Sequence, residues 1–132
     1  MVAMMRSWPG ALLGAALAAI PAELPAGTLK TDVGGVGVEL SSEPETPGTR
    51  QATTYVVRLT QADGAPLTGA KVTLRGRMVD GMTVIAPLPP TPESGIYQGR
   101  VLFPMGGRWE LRLRVAGKGT PLEVPLTEHV GR

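Results

Sequence analysis

The 132-residue chain contains no cysteine. Disulfides, thiolate metal sites, a cysteine nucleophile and a lipid-modified N-terminal cysteine are therefore excluded. Histidine occurs once, as His129 near the C-terminal end, which argues against Ser-His-Asp catalysis. Carboxylates are few and scattered: Glu43 and Glu45 fall in a polar stretch and Glu110 stands isolated, so no acid/base pair is positioned. A phosphate-cradling loop of the Walker type is also missing. A non-enzymatic protein is expected. Charge of one sign is lacking too, and a formal net charge of +2 does not by itself point to nucleic acid or an acidic membrane surface. Aromatics make up only 4% of the chain, so its core must rest largely on aliphatic side chains.

Glycine (18) and proline (13) are abundant and spread along the chain, as suits many short strands joined by turns. Near the N-terminus, Arg6 precedes the apolar run Ala11 to Ile20, and Pro21-Ala22 offers a small-residue end. This pattern predicts a signal peptide over residues 1–22, with Ala22 the last residue removed. The run is far shorter than the ~20 residues that cross a bilayer as a helix. An exported protein, periplasmic or extracellular and with no membrane span after cleavage, is the expectation. Residues 23–32 carry no clear period and read as a mobile leader; residues 33–128 read as one domain.

Within that domain apolar residues recur at every second position. Val36, Val38 and Leu40 alternate with Gly37 and Glu39; Tyr55, Val57 and Leu59 alternate with Thr54, Arg58 and Thr60. Val72 and Leu74 face away from Thr73, Arg75 and Arg77, and the same parity puts Met78 on the buried side. Trp109, Leu111, Leu113 and Val115 alternate with Arg108, Glu110, Arg112 and Arg114. This is the period of half-buried strands. A short piece at Thr83 to Ile85 and a last strand over Leu122, Val124 and Leu126 complete the set, with Thr127 to Arg132 read as a polar tail. Ala86 to Ser94 holds too many prolines for a central strand. Gly95 to Val115, holding Tyr97, Phe103 and Trp109, reads as a hairpin turning at Pro104-Met105-Gly106-Gly107. About seven short strands separated by turn signals predict an all-β, antiparallel β-sandwich of immunoglobulin type.

Two stretches resemble a known family. Asp63 to Val72 (DGAPLTGAKV) is similar to the D-G-x-P-[VL]-x-G-A-x-V segment of YtkA-like domains. Gly95-Ile96-Tyr97 through Phe103-Pro104-Met105-Gly106-Gly107-Arg108-Trp109 resembles their G-x-Y…F-x-M-x-G-x-W segment. The resemblance spans about Val36 to Val115 and implies an exported immunoglobulin-like sandwich related to FixH-like proteins, which accompany copper-transporting ATPases. It thus implies copper as the candidate metal and a membrane or envelope protein complex as the candidate partner. Where the family often carries a segment similar to M-P-x-H-G-M, this chain reads Met78-Val79-Asp80-Gly81-Met82, with Asp80 at the histidine position.

Thioether sulfur is a soft ligand suited to Cu(I). Met78, Met82 and Met105 are therefore the candidate metal ligands, with His129 as an outside fourth. The alternative for each methionine is the filling of irregular core gaps. Asp80 in a Gly turn reads as turn chemistry. The second conspicuous set is the arginines on outward strand positions. Arg75, Arg77, Arg100, Arg112 and Arg114 are candidate partner-binding residues if their strands are neighbours; otherwise they are a solvated face whose charges discourage aggregation. Nucleic acid is not expected, because the aromatics look buried and are not interleaved with the basic residues. A purely structural or interaction module without metal is the competing reading.

Overall fold

Why each strand forms follows from its alternation, and the computed structural model shows where the strands go; it describes residues 22–23, 28–117 and 120–131. The strands are β1 (Ala22–Glu23), β2 (Thr28–Val33), β3 (Val36–Glu43), β4 (Thr53–Thr60), β5 (Lys71–Arg77), β6 (Thr83–Leu88), β7 (Ile96–Val101), β8 (Gly107–Ala116) and β9 (Leu122–Val130). Five form one sheet in the order β1-β9-β8-β5-β6, and four form a second in the order β2-β3-β4-β7. All pairings are antiparallel except the two-residue β1, which runs parallel to β9. The two inner faces meet in a single core, so the fold is the expected all-β sandwich.

The inward sets are those the alternation assigns. Tyr55, Val57 and Leu59 of β4, Val72 and Leu74 of β5, and Trp109, Leu111, Leu113 and Val115 of β8 are all buried. Seven strands correspond to the expected ones, and β1 and β2 are additional. The expected signal peptide lies outside the described residues apart from Ala22, which belongs to β1. The leader expected over residues 23–32 is corrected from Thr28 onward. Leu29 is buried, Thr31 and Val33 are half-buried, and Lys30 and Asp32 point outward, so β2 is an alternating edge strand. Its turn into β3 is Gly34-Gly35 with φ of 57° and 84°, both in the left-handed region that a tight two-residue hairpin demands.

A larger correction concerns Gly95 to Val115, which is not a hairpin. β7 pairs with β4 in the four-stranded sheet, whereas β8 pairs with β5 and β9 in the other. The segment between them crosses from sheet to sheet. Pro104 has no N–H for a ladder, and Phe103 turns fully into the core against Trp109, with ring centroids 5.4 Å apart. The Trp109 indole N–H donates to the Met105 carbonyl at 3.0 Å and so ties the crossing loop to the strand that follows.

Two further boundaries move. β6 extends through Pro87 to Leu88, which an edge strand tolerates because Pro87 withholds an N–H that no neighbour needs. The presumed polar tail is the second half of β9: Glu128 and Val130 continue the inward set of Val124 and Leu126.

Trp109→Ala would leave a cavity between the sheets and free the crossing loop. A loss of about 3–5 kcal/mol is expected, read as a lower urea midpoint with little change in slope.

Candidate functional site

The two stretches that carry the family resemblance touch each other. Gly95 adopts φ of +80°, and a Cβ there would meet Pro66 at 2.8 Å and the Leu59 carbonyl at 3.0 Å. Leu59 N–H donates to the Gly95 carbonyl, while Leu67 N–H donates to the Leu59 carbonyl. The Tyr97 hydroxyl donates to the Leu67 carbonyl at 2.8 Å and accepts from Ala70 N–H at 3.2 Å. Gly95, Tyr97 and Pro66 to Ala70 therefore form one pin that ties the β4–β5 connection to β7, beside a cleft of about 450 Å³ bordered by Val36, Ala70, Val115 and Leu122. These residues do architectural work.

At the opposite end lie the methionines. Met78 and Met82 close the β5–β6 hairpin: Met78 N–H donates to the Met82 carbonyl and Gly81 N–H to the Met78 carbonyl, both at 2.9 Å. Asp80 Oδ1 accepts from Met82 N–H at 3.0 Å, the turn role expected of it. Met78 is half-buried and packs on the core. Its methyl lies so close to Gly107 that a Cβ there would approach it to 2.9 Å. Met105, two residues before Gly107, is 42% exposed, and Met82 is 37% exposed. The fold thus brings Met78, Met82 and Met105 to one end of the sandwich. His129 lies at the same end of the ladder, next to Val130, which pairs with Gly107. It sits in β9 opposite Arg108, between the inward Glu128 and Val130, and faces outward from the five-stranded sheet. Among the described residues, no group of three or more His, Asp or Glu is placed to hold a metal ion.

The arginines divide between the sheets. Arg75 and Arg77 on β5 and Arg112 and Arg114 on β8 share the outer face of the five-stranded sheet, and Arg75 stands directly opposite Arg112. Arg100 is on β7, so it belongs to the other face, where Arg58 pairs with Glu39 at 3.7 Å. The expectation that Arg100 joins the others is corrected by the sheet crossing after β7. Arg112 and Arg114 share one carboxylate, Glu123, at 3.2 and 3.1 Å.

One polar pair escaped the sequence reading. The Tyr55 hydroxyl donates to Glu128 Oε1 at 3.0 Å across the core, joining β4 of one sheet to β9 of the other. Burial pushes the Glu128 carboxyl up to about 7, against which the Tyr55 bond acts by favouring the charged form. Burial and the facing carboxylate together hold the Tyr55 phenol well above its ordinary value. Extending the Val124–Leu126 alternation by one step was the available signal for Glu128.

A model of YtkA-like domains matches residues 31–114. The chain belongs to the YtkA-like family. No curated protein matches the chain. The matched span of this YtkA-like domain runs from the middle of β2 into β8 and includes the pin, the methionine hairpin and the sheet crossing.

Because the folded state raises the Glu128 carboxyl from 4.5 to about 7, folding favours its protonated form. Stability from this group is full below about pH 4.5 and is lost as pH rises through 7, by about 3 kcal/mol. Denaturant titrations at a series of pH values should show that decline, and Glu128→Gln should flatten it. Separately, Tyr97→Phe should cost about 1–3 kcal/mol and speed amide exchange at Leu67 and Ala70.

Proposed function

We propose that this YtkA-like protein is an exported, non-enzymatic accessory module that offers thioether sulfur to Cu(I) at the hairpin end of its sandwich. The observation that carries this reading is the convergence of Met78, Met82 and Met105 on that end, the last two partly exposed. Met78, Met82 and Met105 would hold the ion. An all-thioether donor set suits a soft monovalent ion and disfavours harder divalent ones. Without an imidazole among them, the set binds weakly enough to give the ion up again. The accessory role is therefore receiving or passing copper in support of a membrane complex that handles metal.

Several features support the rest of the reading. Export fits the charged, apolar and small-residue succession of residues 6–22. Among the described residues no helix is long and apolar enough to cross a membrane. A non-enzymatic role fits the placement of Glu128 and Tyr55, whose shifted groups face each other inside the core and present nothing to a substrate.

An anaerobic Cu(I) competition titration against a chromophoric chelator tests the site. Stoichiometric binding of micromolar or tighter affinity is expected, and the double variant Met82→Leu/Met105→Leu should lose it. That variant should fold as before, since Met-to-Leu exchange at nearly constant volume costs less than about 1.5 kcal/mol per site. Absence of any competition by the unmodified protein would overturn the copper reading.

A further inference from the structure

We infer that the outer face of the five-stranded sheet is a docking surface for an extended, acidic segment of a partner protein. The inference stands apart from the metal reading and begins with how charge is distributed. This face carries the cations Lys71, Arg75, Arg77, Arg108, Arg112 and Arg114 on outward positions of β5 and β8. Among the residues whose side chains are described, its carboxylates are two, Glu110 on β8 and Glu123 on β9. The outer face of the other sheet is balanced, with Lys30, Arg58 and Arg100 against Asp32, Glu39 and Glu43. A chain of formal net charge +2 thus concentrates its positive charge on one side.

The arrangement on that side is unfavourable for the domain alone. Arg75 stands directly across the ladder from Arg112, and like charges so placed repel. Glu123 is already shared by Arg112 and Arg114. Among the described residues neither Arg75 nor Arg77 forms a salt bridge, although Glu110 lies opposite Arg77 in the register. A carboxylate from outside, set between Arg75 and Arg112, would relieve the repulsion and accept planar, two-pronged hydrogen bonds from either guanidinium.

Shape selects the kind of anion. A shallow groove of about 530 Å³ runs over β6, β5 and β8, with Arg75, Arg77 and Arg112 along it, Glu110 and Glu123 also in its lining, and Ile85 at its side. Ile85 is 65% exposed on the edge strand β6 and is the large apolar side chain that the groove offers. A groove with guanidinium groups spaced across neighbouring strands and one apolar contact fits an extended chain carrying carboxylates and an aliphatic residue. A lipid surface would instead call for several protruding apolar side chains, and the exposed large one in this groove is Ile85.

The test uses the full chain and a fluorescein-labelled peptide of sequence Glu-Glu-Leu-Glu-Glu-Leu, followed by anisotropy at low salt. Saturable binding is expected, weakened about tenfold by Arg75→Gln/Arg112→Gln and by a shift from low to high ionic strength. The charge-matched pair Arg58→Gln/Arg100→Gln on the opposite face should leave the affinity within about twofold. The Arg75/Arg112 variant removes both a like-charge opposition and the exposed Arg112–Glu123 pair, two small and opposing effects, so its thermal midpoint should stay close to the parent's, which separates lost binding from lost folding. Failure of the peptide to bind saturably would overturn the inference, as would equal losses from the two paired variants. Co-sedimentation with phosphatidylglycerol vesicles, with the peptide unable to compete, would assign the face to lipid headgroups and overturn it too.

Discussion

The contact between Phe103 and Trp109 is the one on which the rest of this sandwich depends. β7 and β8 are consecutive in the chain but belong to different sheets, so the five residues between them must carry the backbone across the open end of the core. That crossing holds because Phe103 is driven fully inside and meets Trp109 there, while the indole N–H secures the Met105 carbonyl. The pairing of β4 with β7 and of β5 with β8 follows from it. So does the location of Met105, which lies in the crossing loop and therefore comes to the same end as the β5–β6 hairpin. In a protein so poor in aromatics, two of them packed against each other at a tilt of 56° decide both the topology and the neighbourhood of the candidate site.

The inward and outward faces of the strands were legible in the sequence because alternation is a local property. Every inward set from Tyr55 to Val115 can be read two residues at a time, and the structure buries those residues. What could not be read locally is which strands lie side by side. A run such as Tyr97 to Trp109, with a Pro-Met-Gly-Gly turn in its middle, satisfies the rules for a hairpin and for a sheet crossing equally well. Only the fate of Phe103, inside the core or in a ladder, separates the two. The grouping of the arginines inherits that ambiguity: Arg100 and Arg112 are twelve residues apart in sequence and lie on opposite faces of the molecule. At the edges, local reading failed for a different reason. β2 and the second half of β9 carry polar residues at or near inward positions, and a charged residue such as Glu128 looks like tail until its partner Tyr55 is seen across the core.

The candidate site divides in the same way. The turn chemistry of Asp80 and the proximity of Met78 to Met82 are consequences of five consecutive residues, and the sequence carries them. The approach of Met78 to Gly107, and with it the inclusion of Met105, is tertiary. The family motifs prove to be mostly structural, since Gly95, Tyr97 and Pro66 bind the chain to itself at the far end.

The Gly34-Gly35 turn has a consequence for how the N-terminal part of the domain finds its place. With both residues in the left-handed region, the turn accepts two residues and no other number, and it sets Val33 against Val36 and Leu29 against Leu40. A shift of a single residue would turn Leu29 toward water and bring Lys30 or Asp32 inward, reversing every side chain of the strand at once. The two glycines act as a reading-frame marker: they hold no ligand and bury little, yet they determine which half of β2 the core recognises.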